Sequence, residues 1–176
     1  MEKPSMQELI ATLPQTGTIE WIGVRPGKRE AMVSLPAVEI TTEDGLAGDH
    51  YQGKSKMRQV TLIQAEHLQG VVAMLKKDAI DPGLVRRNIV VAGVNLLAFK
   101  DRTFQIGEVV LEFTGLCHPC SRMEENLGPG GYNAMRGHGG IMAKVISGGR
   151  IRVGDDCRIW EVGGEEGEGG EMGDRL

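Results

Sequence analysis

The chain has 176 residues, 40% apolar and 25% charged, a balance that fits one folded domain and excludes both a multidomain enzyme and a disordered chain. Its net charge of -4 is misleading: residues 163–176 hold five acids and one base, leaving 19 acids and 19 bases in residues 1–162. A neutral body argues against nucleic acid as a partner, because phosphate binding needs a basic excess or a segregated basic face.

In chain order, Ser5 to Leu13 reads as a short helix, since Ser5 and Glu8 have capping-box spacing and Pro14 closes the segment. Extended segments follow at Thr18 to Val24, Ala31 to Ile40 and Arg58 to Gln64. Leu68, Val71, Val72 and Leu75 then recur at helical spacing, with Lys76 and Lys77 where a helix C-terminus favours cations. Further strands are expected at Asn88 to Ala92, Glu108 to Phe113, Ile141 to Ile146 and Cys157 to Val162. Short helices are expected at Pro119 to Asn126 and Gly131 to Arg136. Seven short strands, few helices and 26 glycines imply a mainly β protein, a compact bent barrel with short peripheral helices. The expected organisation is a flanking helix or turn over 1–16, the barrel over 17–162, and a disordered Gly/Glu-rich tail over 163–176.

The apolar runs fall far short of the ~20 residues that span a bilayer, and no membrane partner is expected. The three cysteines, Cys117, Cys120 and Cys157, lack the wider framework of a secreted scaffold. A cytoplasmic protein with reduced thiols is the expectation.

The densest chemistry lies in Leu116-Cys117-His118-Pro119-Cys120-Ser121-Arg122. A C-x-x-C pair admits three readings: a redox dithiol, part of a zinc site with His118, or a nucleophilic or metal-ligating thiol with a neighbour. If Pro119 opens a helix, Cys120 falls in its first turn, where unpaired N–H groups favour a thiolate. Cys120 is then the better nucleophile or soft-metal ligand, with Cys117, His118 and Arg122 as possible accessories. Gly45 to His50 forms a glycine-rich loop tipped by Asp49 and His50. Arg58-Gln59-Val60-Thr61 and Arg86-Arg87-Asn88 each place guanidinium groups beside amides or hydroxyls, a combination suited to phosphate oxygens. Glycines flank Arg136 and His138, and with Gly139 and Gly140 they allow backbone N–H groups to turn toward an anion.

Taken in order, GLAGDHY (45–51), RQVTLIQAEHL (58–68), RRNIVVAGVNLL (86–97), IGEVVLEFTGLCHPCSRMEENLG (106–128) and MRGHGGIMAKVISGGRIRVGD (135–155) resemble the MOSC domain family, named for the C-terminal domain of molybdenum cofactor sulfurase. The resemblance implies a strongly bent barrel that handles sulfur for metal-sulfur cofactors, with Cys120 at the position of the reactive cysteine. It also implies a molybdenum-pterin cofactor held by Arg58, Gln59, Thr61, Arg87, Asn88, Arg136, His138, Gly139 and Gly140, and Cys120 as persulfide carrier or molybdenum ligand. Some members carry a desulfurase-like portion that uses pyridoxal phosphate. These residues contain none, so the resemblance implies a separate cysteine desulfurase as sulfur donor. A reductase of N-hydroxylated compounds fed by an external electron-donor protein, and a non-enzymatic zinc module, are the alternative expectations.

Overall fold

The computed structural model describes residues 3–51 and 53–161. The expected strand end at Val162 and the tail over 163–176 lie outside them. Helix α1 (Met6–Ala11) carries the expected capping box: the Ser5 hydroxyl accepts from the Glu8 N–H while the Glu8 carboxylate accepts from the Ser5 N–H. None of its residues is buried.

Eleven strands follow: β1 (Gly17–Val24), β2 (Val33–Ser34), β3 (Ala37–Thr41), β4 (Gly45–Leu46), β5 (Val60–Gln64), β6 (Ile89–Ala92), β7 (Thr103–Ile106), β8 (Val109–Leu116), β9 (Ile141–Ser147), β10 (Gly149–Arg152) and β11 (Asp156–Ile159). Seven of them, in the order β11-β7-β8-β9-β5-β6-β1, close into a barrel because β1 also pairs with β11. β2 pairs with the end of β1, and β10, β3 and β4 form a second small sheet. The expected extended run from Ala31 to Ile40 is thus two strands. Pro36, which has no N–H to give a ladder, lies between them. β4, β7 and β10 were not anticipated. In β7 and β10 a period-two signal exists nonetheless, in Phe104 with Ile106 and in Ile151 between two arginines.

Closure requires strands to bend, and bulges supply the bend. The β1–β6 register slips between Ile19 and Trp21, and the β8–β9 register slips twice. Because of the first slip Ile19 and Ile22 face the barrel core while Trp21 packs outside it. β5 and β6 form the parallel pair of the ring, joined across helix α2 (Ala65–Met74). Helix α2 is thus a crossover between two parallel strands. Their alternating residues serve two cores: Val60, Leu62, Ile89 and Val91 fill the barrel, and Ile63 and Val90 meet the helices outside. Such double burial explains their near-continuous apolar sequence.

The outer helices are α2, α3 (Ser121–Leu127) and α4 (Gly131–Met135). α2 stops before Lys76 and Lys77, whose N–H groups bond back to Ala73 and Val72 with Lys76 in the left-handed region, closing the helix as a Schellman turn. No helix of the described residues is long and apolar enough to cross a membrane.

Gly140 joins α4 to the barrel at a point of backbone contact. It has φ +85, and a Cβ there would lie 1.9 Å from the Leu62 carbonyl oxygen. Gly140→Ala combines a left-handed penalty of ~1–2 kcal/mol with overpacking of ~1–3 kcal/mol. A loss of about 2–5 kcal/mol is expected in urea unfolding, and a loss below about 1 kcal/mol would contradict this account.

Candidate functional site

Where β8 leaves the barrel, the chain runs through Cys117-His118-Pro119-Cys120 without a turn or bend and enters α3. Helix α3 begins at Ser121, with Cys120 as its N-cap in extended conformation. The expectation that Pro119 opens the helix, with Cys120 inside its first turn, is corrected. The two thiols meet different surroundings: Cys117 is buried and Cys120 exposed. Both are free thiols, not joined in a disulfide. Cys157 is sealed in the barrel, and burial pushes its thiol up to about 12.

Cys120 opens on a cavity of about 230 Å³ lined also by Arg25, Lys28, Arg29, His50, Arg58, Arg86, Arg87, Arg122 and Met123. No carboxylate is among these lining residues. Five of the cations, Lys28, Arg29, Arg58, Arg86 and Arg122, have no ion-pair partner among the described residues. The sequence is neutral over its body, yet the fold gathers an excess of positive charge around one thiol. The field is self-repulsive: burial, then the charges of Arg122 and Arg25, lower the Arg86 guanidinium from its ordinary value. A larger hollow of about 420 Å³ beside Pro14, Gln105 and Arg158 contains no thiol, so size does not select the site.

Two arginines of the cavity wall are committed to the protein. Arg25 forks onto Asp49, with Nε 3.0 Å from Oδ1 and Nη2 2.7 Å from Oδ2, and the Arg25 N–H also donates to Oδ1 at 2.7 Å. The Asp49 side chain is only 1% exposed. Burial raises its carboxyl, but Arg25 and the backbone donors outweigh burial and hold it below its ordinary value. Arg87 is 3% exposed, and its guanidinium donates to the carbonyls of Gly139 (2.7 Å), Val85 (2.8 Å) and Cys117 (3.2 Å). Burial, reinforced by Arg58, pushes this guanidinium down, while Cys117 acts in the opposite sense.

The remaining sequence candidates divide between support and other surfaces. Gln59 is buried, donating to the Thr42 carbonyl and accepting from the Val145 N–H. The Thr61 hydroxyl and Asn88 bond to each other, and Asn88 reaches Asp49 at 3.3 Å. These three side chains brace the wall from inside. Arg58 lines the cavity, and its Nη2 lies 3.6 Å from the Cys117 sulfur. His50 lines the cavity, and its buried Nδ1 has no partner among the described residues.

His118 and Arg136 are exposed and do not line the cavity. His138 instead sits edge-to-face on His67, with ring centroids 5.0 Å apart. Gly139 and Gly140 do not cradle an anion at the cavity. Their carbonyls accept from Arg87 and from the Cys117 N–H, and a Cβ at Gly139 would fall 1.9 Å from the Cys117 carbonyl. They let the α4–β9 connection lie against the cysteine-bearing strand. Arg25, Lys28 and Arg29 escaped sequence reading because they follow β1 in a loop that bears no motif; the clustering of three cations within five residues was the available signal. The described residues contain no group of three or more metal-ligating side chains, so a zinc site of Cys117, His118 and Cys120 finds no support.

The family model described as MOSC domain matches residues 47–158. No curated protein matches the chain. Among solved structures, the YuaD protein from Bacillus subtilis is similar with a TM-score of 0.70 and 16% identity, covering 82% of this chain and 96% of that one. YiiM from Escherichia coli gives a TM-score of 0.63 and 17% identity over 82% of this chain and 70% of its own. YiiM from Geobacillus stearothermophilus gives 0.62 and 16%, over 82% and 75%.

Proposed function

This chain belongs to the MOSC domain family, and from that premise we propose that it handles sulfur or molybdenum for a pterin cofactor, with Cys120 as persulfide carrier or soft metal ligand. One observation carries the reading: an exposed thiol stands in a cavity walled by cations and lacking any carboxylate.

The residues fit such a group. A molybdenum-pterin phosphate needs an anion receptor and a soft donor side by side. Lys28, Arg29, Arg58 and Arg122 supply the first and Cys120 supplies the second. When bound, the cofactor would supply a metal centre able to accept or give sulfur and oxygen ligands. Arg25 and Arg87 would hold the wall rigid, since their guanidinium groups are tied to Asp49 and to three backbone carbonyls.

For sulfur carriage the Cys120 thiolate attacks the outer sulfur of a donor persulfide, and the new S–S bond forms as the donor's S–S bond breaks. The donor leaves as a thiolate, so the exchange needs no oxidant. The cations that line the cavity attract an anionic persulfide donor. Such a donor fits a separate cysteine desulfurase.

The test is sulfane-sulfur content after incubation with a persulfide donor, together with molybdenum retained after incubation with cofactor. Cys120→Ser is expected to lower both at least tenfold, and Cys117→Ser to leave both within twofold. Stoichiometric sulfane sulfur and molybdenum on the Cys120→Ser protein would overturn the proposal. Turnover of an N-hydroxylated base with an external electron donor, in the absence of sulfur transfer, would replace it with the reductase reading.

A further inference from the structure

A further cavity, of about 430 Å³, lies outside the barrel and shares no lining residue with the one at Cys120. Its size falls within the ~300–1,000 Å³ of ordinary small-molecule sites. The apolar wall comes from Leu68 and Val72 of α2, Val90 of β6, and Ile80 and Pro82 beyond the helix. Ala65, Leu68, Gln69 and Val72 stand at i, i+3, i+4 and i+7, so one stripe of α2 faces this space.

Strand β1 contributes two successive residues, Glu20 and Trp21. Neighbours on a regular strand point to opposite faces, and the slip in the β1–β6 register is what brings both to one cavity. Ile19 pairs with Val91 and Trp21 with Val90, which leaves Glu20 as the extra residue of a bulge. Gly23 gives the indole its place along the strand, since a Cβ there would fall 2.0 Å from Trp21 Cη2. The charge of this cavity is the reverse of that at Cys120. Glu20 and Asp78 line it and no cation does; Lys76 and Lys77, which precede Asp78, lie outside the lining. Both carboxylates are exposed, and neither has an ion-pair partner among the described residues.

We infer that this cavity binds an organic ammonium ion with an apolar body. The body covers Leu68, Val72 and Val90 and removes their surface from water. The positive head is drawn to Glu20 and Asp78 by charge, and the Trp21 indole offers a π surface of the kind that attracts ammonium groups. A neutral ligand of the same shape gains the apolar contact alone, and an anion meets two like charges. Primary and quaternary ammonium ions share the favoured chemistry: the first adds hydrogen bonds to the carboxylates, and the second relies on the indole. Nothing in this recognition involves the sulfur of Cys120.

Tryptophan emission tests it in the full chain carrying Trp160→Phe, which leaves Trp21 as the single tryptophan; calorimetry on the wild-type chain gives the same ranking without that change. Four probes of similar size are titrated at neutral pH and fixed ionic strength: 2-phenylethylammonium, benzyltrimethylammonium, 2-phenylethanol and 3-phenylpropanoate. At least one of the two cations is expected to bind tenfold or more tighter than the alcohol and the carboxylate, and which one does so separates hydrogen bonding from indole contact. The double variant Glu20→Gln/Asp78→Asn alters exposed side chains and should bring that preference to within twofold while the alcohol binds as before. Equal binding of cations and alcohol, no response to any probe by either method, or a preference untouched in the double variant overturns the inference. Cys120→Ser should leave all four affinities unchanged, so failure of sulfur loading and failure of this site are read separately.

Discussion

Asp49→Ala is expected to cost about 3–5 kcal/mol in folding free energy, the range for breaking a buried ion pair from one side. The reason is the partner left behind. Arg25 has 7% of its surface exposed, and without Asp49 its Nε and Nη2, its own N–H and the Asn88 amide all lose an acceptor at once. Urea unfolding at neutral pH measures the loss, and a change under about 1 kcal/mol would show that the pair is not what fixes Arg25. The acid limb gives an independent check. The folded-state value of Asp49 lies below its ordinary 3.8, so its contribution is complete above that value and disappears as pH falls through the lowered one. The wild-type protein should therefore lose stability more steeply than Asp49→Ala as pH drops below about 4. Parallel acid limbs would sink that assignment.

Arg87→Met should cost about 3 kcal/mol, because one side chain satisfies three carbonyls and each buried group left unpaired costs ~1–3 kcal/mol, partly recovered by relaxation. Arg87→Lys should recover little, since a point charge on a flexible stem cannot reproduce the fork. The effect extends to chemistry. Arg87 ties the Cys117 carbonyl to Gly139, so its loss frees the strand that carries Cys120 into the cavity. Thiol-reaction rates measured under native conditions should rise for both cysteines in Arg87→Met, most for the buried Cys117. If denaturant stability and both rates stay at wild-type values, Arg87 is not the tie that these distances describe.

The same residues show what the linear chain discloses. The barrel, most of its strands and α2 were legible because Val60, Leu62, Ile89 and Val91 belong to β-branched or aliphatic runs and α2 has a 3.6-residue period. Cys120 was legible from its motif. The division of Arg58, Arg87, Thr61 and Asn88 between cavity and scaffold was not, because all four look alike in a sequence: polar residues at a strand start. Only the contacts decide. Thr61 and Asn88 bond each other inside the wall, Arg87 is spent on carbonyls, and Arg58 remains open to the cavity.

The linear chain disclosed a bent β-barrel and singled out Cys120 as the candidate thiol, since hydrophobic periodicity and local motifs are properties of neighbouring residues. Tertiary structure decided where the charge goes. Arg25 and Arg29 after β1, Arg58 before β5, Arg86 before β6 and Arg122 on α3 are dispersed over about a hundred positions. Barrel closure and the packing of α3 on its outer wall bring them around one sulfur. An electrostatic field depends on distances in space, and residues 1–162, with equal acids and bases, give no sign of it until they fold.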